Sequence, residues 1–391
     1  MQHFVKPVLI TGDPGCGKSY LLKKIIEHCV HNGLKVIIAH PTAKQARTFI
    51  NDIPLSADGQ DIAEVKSDTV HSIFRLSIDS NERVINWSLV RYDVLIVDEI
   101  AKVDIPVVNH IFDHLKFLPV APVLIMAGDP CQQRPMGNDN TLGNSIFESP
   151  TLKTQVDVLR LYHQCRITCT SLSKHLSVLR CAYPSNEALD FFNSLSWASH
   201  DKISGRTEES EEIVWKAFTT YPETIFLTIT KDAAQWINTT IVCRLFSNHS
   251  PVLLNITIAD NQCMNLYTGM RLMITENQCK QLNIVNGAVV TLKEVRHGNL
   301  IVTQNDGSHS FISKSYHDDS SYYPVLPYYA GTIYKAQGET LEHATIWLDI
   351  GIKSPGTAYT AFSRVKCHQQ LRLLEQVRRH QLCPVQGVST E

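Results

Sequence analysis

Parallel β-sheets covered by helices on both faces, an α/β fold, are what this 391-residue sequence predicts. Two observations carry that expectation. The segments Val8-Leu9-Ile10, Val36-Ile37-Ile38-Ala39, Val94-Leu95-Ile96-Val97 and Val123-Leu124-Ile125-Met126 are short and continuously apolar, with helix-period stretches between them. Strands apolar on both faces belong to parallel sheets buried between helices. The first segment runs into Gly12-Asp13-Pro14-Gly15-Cys16-Gly17-Lys18-Ser19, the Gly-rich loop between strand and helix that binds phosphate.

Lys18–Asn32 reads as a helix with Leu21, Leu22, Ile25, Ile26, Cys29 and Val30 on one face, closed by Gly33. Ala43–Ile50 reads as another. The polar stretch 77–91, with Val84, Ile85 and Trp87, predicts a small hairpin, and 199–212 a charged surface loop. From about 251 to 323 the pattern changes to short alternating strands such as Val289–Leu292 and Leu300–Val302, separated by Gly and Asn turns. That predicts an all-β insertion of small-barrel type. The α/β pattern resumes at Ala344–Leu348.

Composition bounds the classes. Apolar residues make up 43% and charged residues 19%, as in soluble globular proteins, and no run reaches the roughly eighteen apolar residues of a membrane span. Met1–Pro7 has no apolar secretory core, so the expected setting is intracellular and soluble, in nucleus or cytoplasm. Eleven cysteines without a C-x-x-C pair argue against a disulfide framework. His163, Cys165 and Cys169 have metal-like spacing, but no second ligand pair accompanies them, and thiols without a metal are the better reading. A net charge of −2 is not the basic balance usual for binding duplex by charge alone, so any nucleic-acid contact is confined to a groove with local basic and stacking groups.

The octet dictates the chemistry. Its glycines, with the intervening Asp13, Pro14 and Cys16, let backbone N–H groups curl around an anion at a helix start. Lys18 neutralises the β- and γ-phosphates and the Ser19 hydroxyl sits on Mg²⁺. The strand Val94–Val97 ends in Asp98-Glu99: Asp98 is assigned to the metal and Glu99 to the attacking water. The next strand ends in Gly128-Asp129-Pro130-Cys131-Gln132-Gln133-Arg134-Pro135. There Gln132, with Gln133 as the alternative, can report loss of the γ-phosphate without carrying charge.

The order Gly12–Ser19, His40-Pro41-Thr42-Ala43-Lys44, Thr69-Val70-His71-Ser72, Val97-Asp98-Glu99-Ile100 and Gly128–Pro135 resembles the N-terminal motor domain of superfamily 1 helicases. Tyr162-His163-Gln164-Cys165-Arg166, Gly331–Leu341 and Ala358-Tyr359-Thr360-Ala361-Phe362-Ser363-Arg364-Val365 resemble the fourth to sixth motifs. Tyr183–Glu187, Tyr267–Arg271 and Val285-Asn286-Gly287 make the resemblance most specific to Pif-type (petite integration frequency) DNA helicases, relatives of RecD. It spans about residues 8 to 374 and implies two RecA-like P-loop motor domains gripping ATP and Mg²⁺, 1–153 with a small hairpin insertion at about 77–91 and 154–391 with a β-barrel-like insertion at about 251–323. It implies Arg166 and Arg364 as arginine fingers from the second domain, and Gly338 as a nucleotide contact. It also implies a strand-binding face of Pro41, Thr42, Lys44, Thr69, His71, Ser72, Thr332, Lys335 and Gln337, with a core or capping role as the alternative for His71. Phe74 and Trp87 read as core residues, with base stacking as their alternative.

The implied activity is an ATP-dependent, 5′→3′ DNA helicase acting on single-stranded DNA or a forked duplex. The implied form is a monomer that meets other replication or repair proteins. A viral-type RNA helicase, and a nucleotide-switched remodeller that does not unwind, are the other readings. Relatives read adenine with a glutamine upstream of the loop; Gln2 is too near Gly12 for that role, which leaves base selectivity open. Asp13-Pro14 stands where smaller residues are usual, and Glu339 places an acid near the strand. Flanking regions present in relatives are missing, which gives a minimal motor as the expectation.

Overall fold

The computed structural model describes residues 5–51, 53, 65–76, 84–134, 146–199, 203, 206–317, 320–351 and 354–385. The chain forms two compact units. One comprises Met1–Tyr183 with Ser354–Ser363 and Leu382–Glu391; the other comprises Pro184–Lys353 with Arg364–Gln381.

The first unit is built on strands β1 (Val8–Gly12), β2 (Val36–His40), β3 (Val65–Thr69), β4 (Val94–Val97), β5 (Val123–Gly128) and β6 (Asp157–Leu161). They form one sheet in the order β3-β2-β4-β5-β1-β6, parallel throughout. Its helices include α1 (Lys18–His31), α2 (Ala43–Asn51), α3 (Val70–Phe74), α4 (Ile105–Phe117), α5 (Pro150–Gln155) and α6 (Thr170–Cys181). Side chains alternate across the sheet. Ile10, Val36, Ile38 and Ile96 pack with Leu22, Ile26 and Cys29 of α1. Leu9, Ile37, Leu95 and Leu124 pack with Val108, Ile111, Phe112 and Leu115 of α4 on the other face. Each such burial stabilises by about 1.5–3 kcal/mol. β6 ends the sheet: Val158 is 62% and Leu159 48% exposed, with Lys6 paired to Asp157.

The second unit has a parallel sheet ordered Ala330–Thr332, Ile225–Thr228, Ala344–Trp347, Leu371–Glu375, Ser196–Ala198. Between its strands Ile225–Thr228 and Ala330–Thr332 lies a five-stranded antiparallel sheet of Arg271–Ile274, Val289–Arg296, Asn299–Thr303, His309–Ile312 and Val325–Pro327. The turn His297-Gly298, with φ of 49° and 75°, is the two-residue kind that matches strand twist. Where the chain returns, the buried Asn238 amide accepts from the Tyr329 and Ala330 N–H groups and donates to the Ala330 carbonyl.

The structure departs from the sequence reading in several places, one being the expected 199–212 surface loop, whose end is the start of the helix Glu208–Thr220, capped by the Thr207 side chain. β6 pairs with β1, so the first unit runs past the expected 153/154 boundary, and Ser354–Ser363 also belongs to it. Of the expected hairpin, 77–83 lie outside the described residues, and Trp87–Arg91 is a 3-10 helix capped by the Asn86 side chain. Phe74 is core, but Trp87 is 58% exposed, because the short helix turns its indole outward.

Candidate nucleotide and nucleic-acid site

All six strands of the first sheet run the same way, so the loop after each strand is delivered to one edge. That is where α/β sheets bind ligands. β1 opens into the loop, whose Gly12, Gly15 and Gly17 take φ of 146°, 82° and 90°, open to glycine and strained for other residues. At Gly15 a Cβ would lie 2.3 Å from the Arg166 Cβ. The Lys18 ammonium donates to the Gly12 and Asp13 carbonyls at 2.7 and 2.9 Å. It also lies 3.9 Å from the Cys16 sulfur, whose thiol burial pushes up against the pull of Lys18.

Ser19 donates to Asp98 Oδ2 at 3.2 Å. Burial, reinforced by the Glu99 carboxylate, pushes Asp98 up to about 7, while the Glu99 N–H, Lys18 and Ser19 pull the other way. A divalent cation reverses that balance by favouring the charged carboxylate. Glu99 has φ of 51°, and its buried Oε2 has no hydrogen-bond partner among the described residues. The donor set, one hydroxyl and one buried carboxylate beside a second carboxylate, suits Mg²⁺, which keeps most of its ligands as water and phosphate. No group of three or more metal-ligating residues occurs among the described residues, so His163, Cys165 and Cys169 form no centre. No disulfide joins the cysteines.

After β5, Gln132 and Gln133 are buried, and the side-chain carbonyl of each has no hydrogen-bond partner among the described residues. The Gln132 amide donates to Asp129 at 3.4 Å. The Gln133 N–H donates to Thr360 Oγ1 at 2.8 Å, in the helix Thr357–Phe362. After β6, the Gln164 side chain bridges the loop. It donates to the Pro14 carbonyl at 2.9 Å and accepts from the Arg166 and Ile167 N–H groups; the Cys165 N–H reaches the Gly15 carbonyl at 2.8 Å.

Arg166 thus lies in the first unit, beside the loop, and not in the second as expected; the reason is the β6–β1 pairing that holds its segment there. Its guanidinium donates to the Ser363 carbonyl at 3.3 Å. Burial lowers its affinity for protons, opposed by the charge of Glu99.

The residues expected along a nucleic-acid strand divide between the units. In the first, Thr42 begins α2 and accepts from the Gln45 N–H. Thr69 caps α3 by accepting from the Ser72 N–H, and Ser72 donates to Asp68. His71 is exposed, which sets aside a core role. Pro41 and Lys44 are half-buried. In the second unit Thr332 ends a strand, Lys335 lies on Ile333–Ala336, and Gln337 is fully buried. Desolvation lowers the Lys335 pKa, with Asp260 opposing and Lys231 adding. Gly338 is exposed at φ of 92°. Arg364 is also in the second unit, 1% exposed, donating to the Glu339 carbonyl at 3.3 Å.

Sequence reasoning gave no part to Arg180, Asp129 or Thr360. The acid at Asp13 was the one available signal, since an acid in a phosphate loop calls for a nearby base.

Residues 2–138 match the AAA domain family. A curated relative is the RecBCD enzyme subunit RecD of Buchnera aphidicola subsp. Schizaphis graminum (strain Sg), 27% identical over 147 residues; the match takes in 34% of this chain and 24% of that subunit. Among solved structures, Pif1 helicases at forked double-stranded DNA superpose with a TM-score of 0.72 at 20% identity, covering 97% of this chain and 90% of that one. Bacteroides Pif1 with ADP-AlF3 and single-stranded DNA gives 0.72 at 18%, covering 98% and 92%. Candida albicans Pif1 gives 0.68 at 18%, covering 97% and 94%. The fold is that of the Pif1 helicases, two RecA-like α/β units, along almost the whole chain.

Proposed function

We propose that this chain is a superfamily 1B helicase of the Pif and RecD type, which hydrolyses ATP to move 5′→3′ along single-stranded DNA and open a duplex ahead. One observation carries the reading. Lys18, Ser19, Asp98, Glu99 and Gln132 reach the same sheet edge in a chain that matches the Pif1 fold over 97–98% of its length.

Each residue then has a role. The loop Gly12–Ser19 cradles the phosphates, and Lys18 exchanges the Gly12 and Asp13 carbonyls for phosphate oxygens. Ser19 and Asp98 hold Mg²⁺, which neutralises charge between the β- and γ-phosphates when bound. Glu99, with an open carboxylate oxygen, orients the attacking water and takes its proton. Gln132 turns its open carbonyl toward the water or γ-phosphate. Arg166, fixed beside the loop, and Arg364, carried by the second unit, supply positive charge in the transition state. Such a group is worth about 10³–10⁵ in rate. Thr42, Lys44, Thr69, His71, Ser72, Thr332 and Lys335 contact phosphate and sugar, which gives affinity without choice of sequence; buried Gln337 supports that row from beneath.

The energy suffices. Driving a two-state motor from 1:99 to 99:1 takes about 5.5 kcal/mol of differential binding, while a duplex step is held by about 1.4 kcal/mol of stacking.

The test is strand separation on duplexes with 5′ or 3′ tails, in DNA and RNA versions. ATP-dependent opening of 5′-tailed DNA is expected, and Lys18→Ala is expected to abolish both it and DNA-stimulated hydrolysis. Opening of RNA alone, or hydrolysis surviving in Lys18→Ala, would overturn the reading.

A further inference from the structure

Asp13 is an anomaly that the fold answers. A carboxylate in the loop that must receive a triphosphate repels its own ligand. It faces the guanidinium of Arg180, near the end of α6. Arg180 Nε lies 2.8 Å from Asp13 Oδ1, and the same guanidinium reaches Asp129 Oδ1 at 3.3 Å. The Arg180 side chain is 5% exposed and that of Asp129 is fully buried, while Asp13 is 39% exposed. The Nε–Asp13 contact is ionic in kind, because its N–H finds no aligned acceptor among the described residues. Asp129 in turn accepts from the Cys131 N–H at 3.0 Å and from the Gln132 amide. One buried cation therefore joins the phosphate loop to the loop that carries Gln132. The charges around it agree. Burial lifts the Asp13 carboxyl and Arg180 pulls it back. Burial works against the guanidinium, yet Asp129, Cys131, Tyr359 and Asp13 hold its pKa above the usual range.

We propose that Arg180 is a positioning residue with two tasks: it cancels the Asp13 charge so that the loop accepts a triphosphate, and it fixes the Gln132 loop against the phosphate loop. Asp129, buried and doubly bonded to its own loop, stays with Arg180 throughout. Asp13, part-exposed and held by charge alone, is the partner that yields when phosphate enters. The inference rests on the nucleotide-hydrolysing site proposed above.

A double-mutant cycle tests it, with Arg180→Met, Asp13→Asn and the pair together, read as binding of a fluorescent ATP analogue and as KM and kcat of DNA-stimulated hydrolysis. With Asp13 present, Arg180→Met is expected to weaken analogue binding and raise KM about tenfold, the scale of one uncancelled charge at a partly screened site. In the Asp13→Asn background the same change is expected to cost about threefold or less, while the fall in kcat persists, since the Gln132 loop has still lost its anchor. Equal factors in both backgrounds would show independent sites and overturn the proposal, as would an Arg180→Met enzyme with unchanged KM. Should Arg180→Met fail to fold, Arg180→Gln, which loses the charge but can still bond Asp129, runs the same cycle for analogue binding and KM with the same expected and overturning results, and its kcat is expected to fall less than that of Arg180→Met. Because analogue binding needs no turnover, absent hydrolysis in the unaltered protein would count against the helicase reading and leave the cycle legible.

Discussion

His40 closes β2 with 1% of its surface exposed, its ring 5.0 Å from that of Phe49. Burial lowers its pKa from 6.5 to about 4. The unfolded chain then takes up a proton near pH 6.5 that the folded chain refuses until about pH 4, so the stability this group contributes is complete above pH 6.5 and is lost as pH falls through that window. From pH 7 to pH 5 the loss is about 2 kcal/mol. His114, also lowered by burial, contributes in the same direction. Urea denaturation at the two pH values should show the drop, and His40→Leu should remove about 2 kcal/mol of it; an unchanged slope in that variant would refute the assignment. At this scale the sequence was partly legible. Lys18 and Ser19 are named by the spacing of a phosphate loop, and Asp98 and Glu99 by their place at the end of an apolar strand. The exposure of Trp87 was hidden, because an apolar residue beside Val84 and Ile85 looks like core until its turn is known.

Among elements, the helix Thr357–Phe362 shows how much of the site depends on close approach. Its N-cap, Gly356, has φ of 75°, and a Cβ there would lie 2.8 Å from the Cys131 carbonyl and 2.9 Å from the Gln132 carbonyl carbon. Gly356→Ala should push the helix away from the Gln132 loop and weaken the Gln133–Thr360 bond. The expected result is a fall in kcat of about tenfold or more, with a loss of about 1–3 kcal/mol in stability; wild-type kcat would mean that the contact is idle. No local pattern announced this packing. The helix is short and lies more than two hundred residues from Gln133, and a contact that far along the chain leaves no periodic trace. The strands were easier, because burial on both faces demands uninterrupted apolar runs. β6 escaped notice for the complementary reason: at the sheet's end it needs no such run, and Arg160 interrupts it.

At the scale of the molecule, the first unit is not one stretch of chain. Ser354–Ser363 returns to it between the two stretches of the second unit, and the chain returns again from Leu382, with the Gly356 N–H bonded to the Cys383 carbonyl. A chain ending at Tyr183 would lack Tyr359 and Phe362, both buried, along with the partner of Gln133. Such a fragment should bind a hydrophobic dye and bind the ATP analogue at least tenfold more weakly than the full chain; equal binding without dye uptake would show that the returning segments are dispensable. Length allowed two or more domains and the change of pattern near residue 251 marked an all-β insertion, whereas the crossings at 353/354, 363/364 and 381/382 become visible only in three dimensions.

The outer margin of the first sheet has a further consequence for handling the protein. β6 presents backbone groups of the kind that recruit a foreign strand, flanked by outward Val158 and Leu159. Two charged side chains, Asp157 with its Lys6 partner and Arg160 lying over the Tyr162 ring, stand as sentries against such zippering. Replacing Arg160 with an apolar residue would turn this margin into a seed for precipitation in concentrated stocks, which light scattering would register before any change in catalysis.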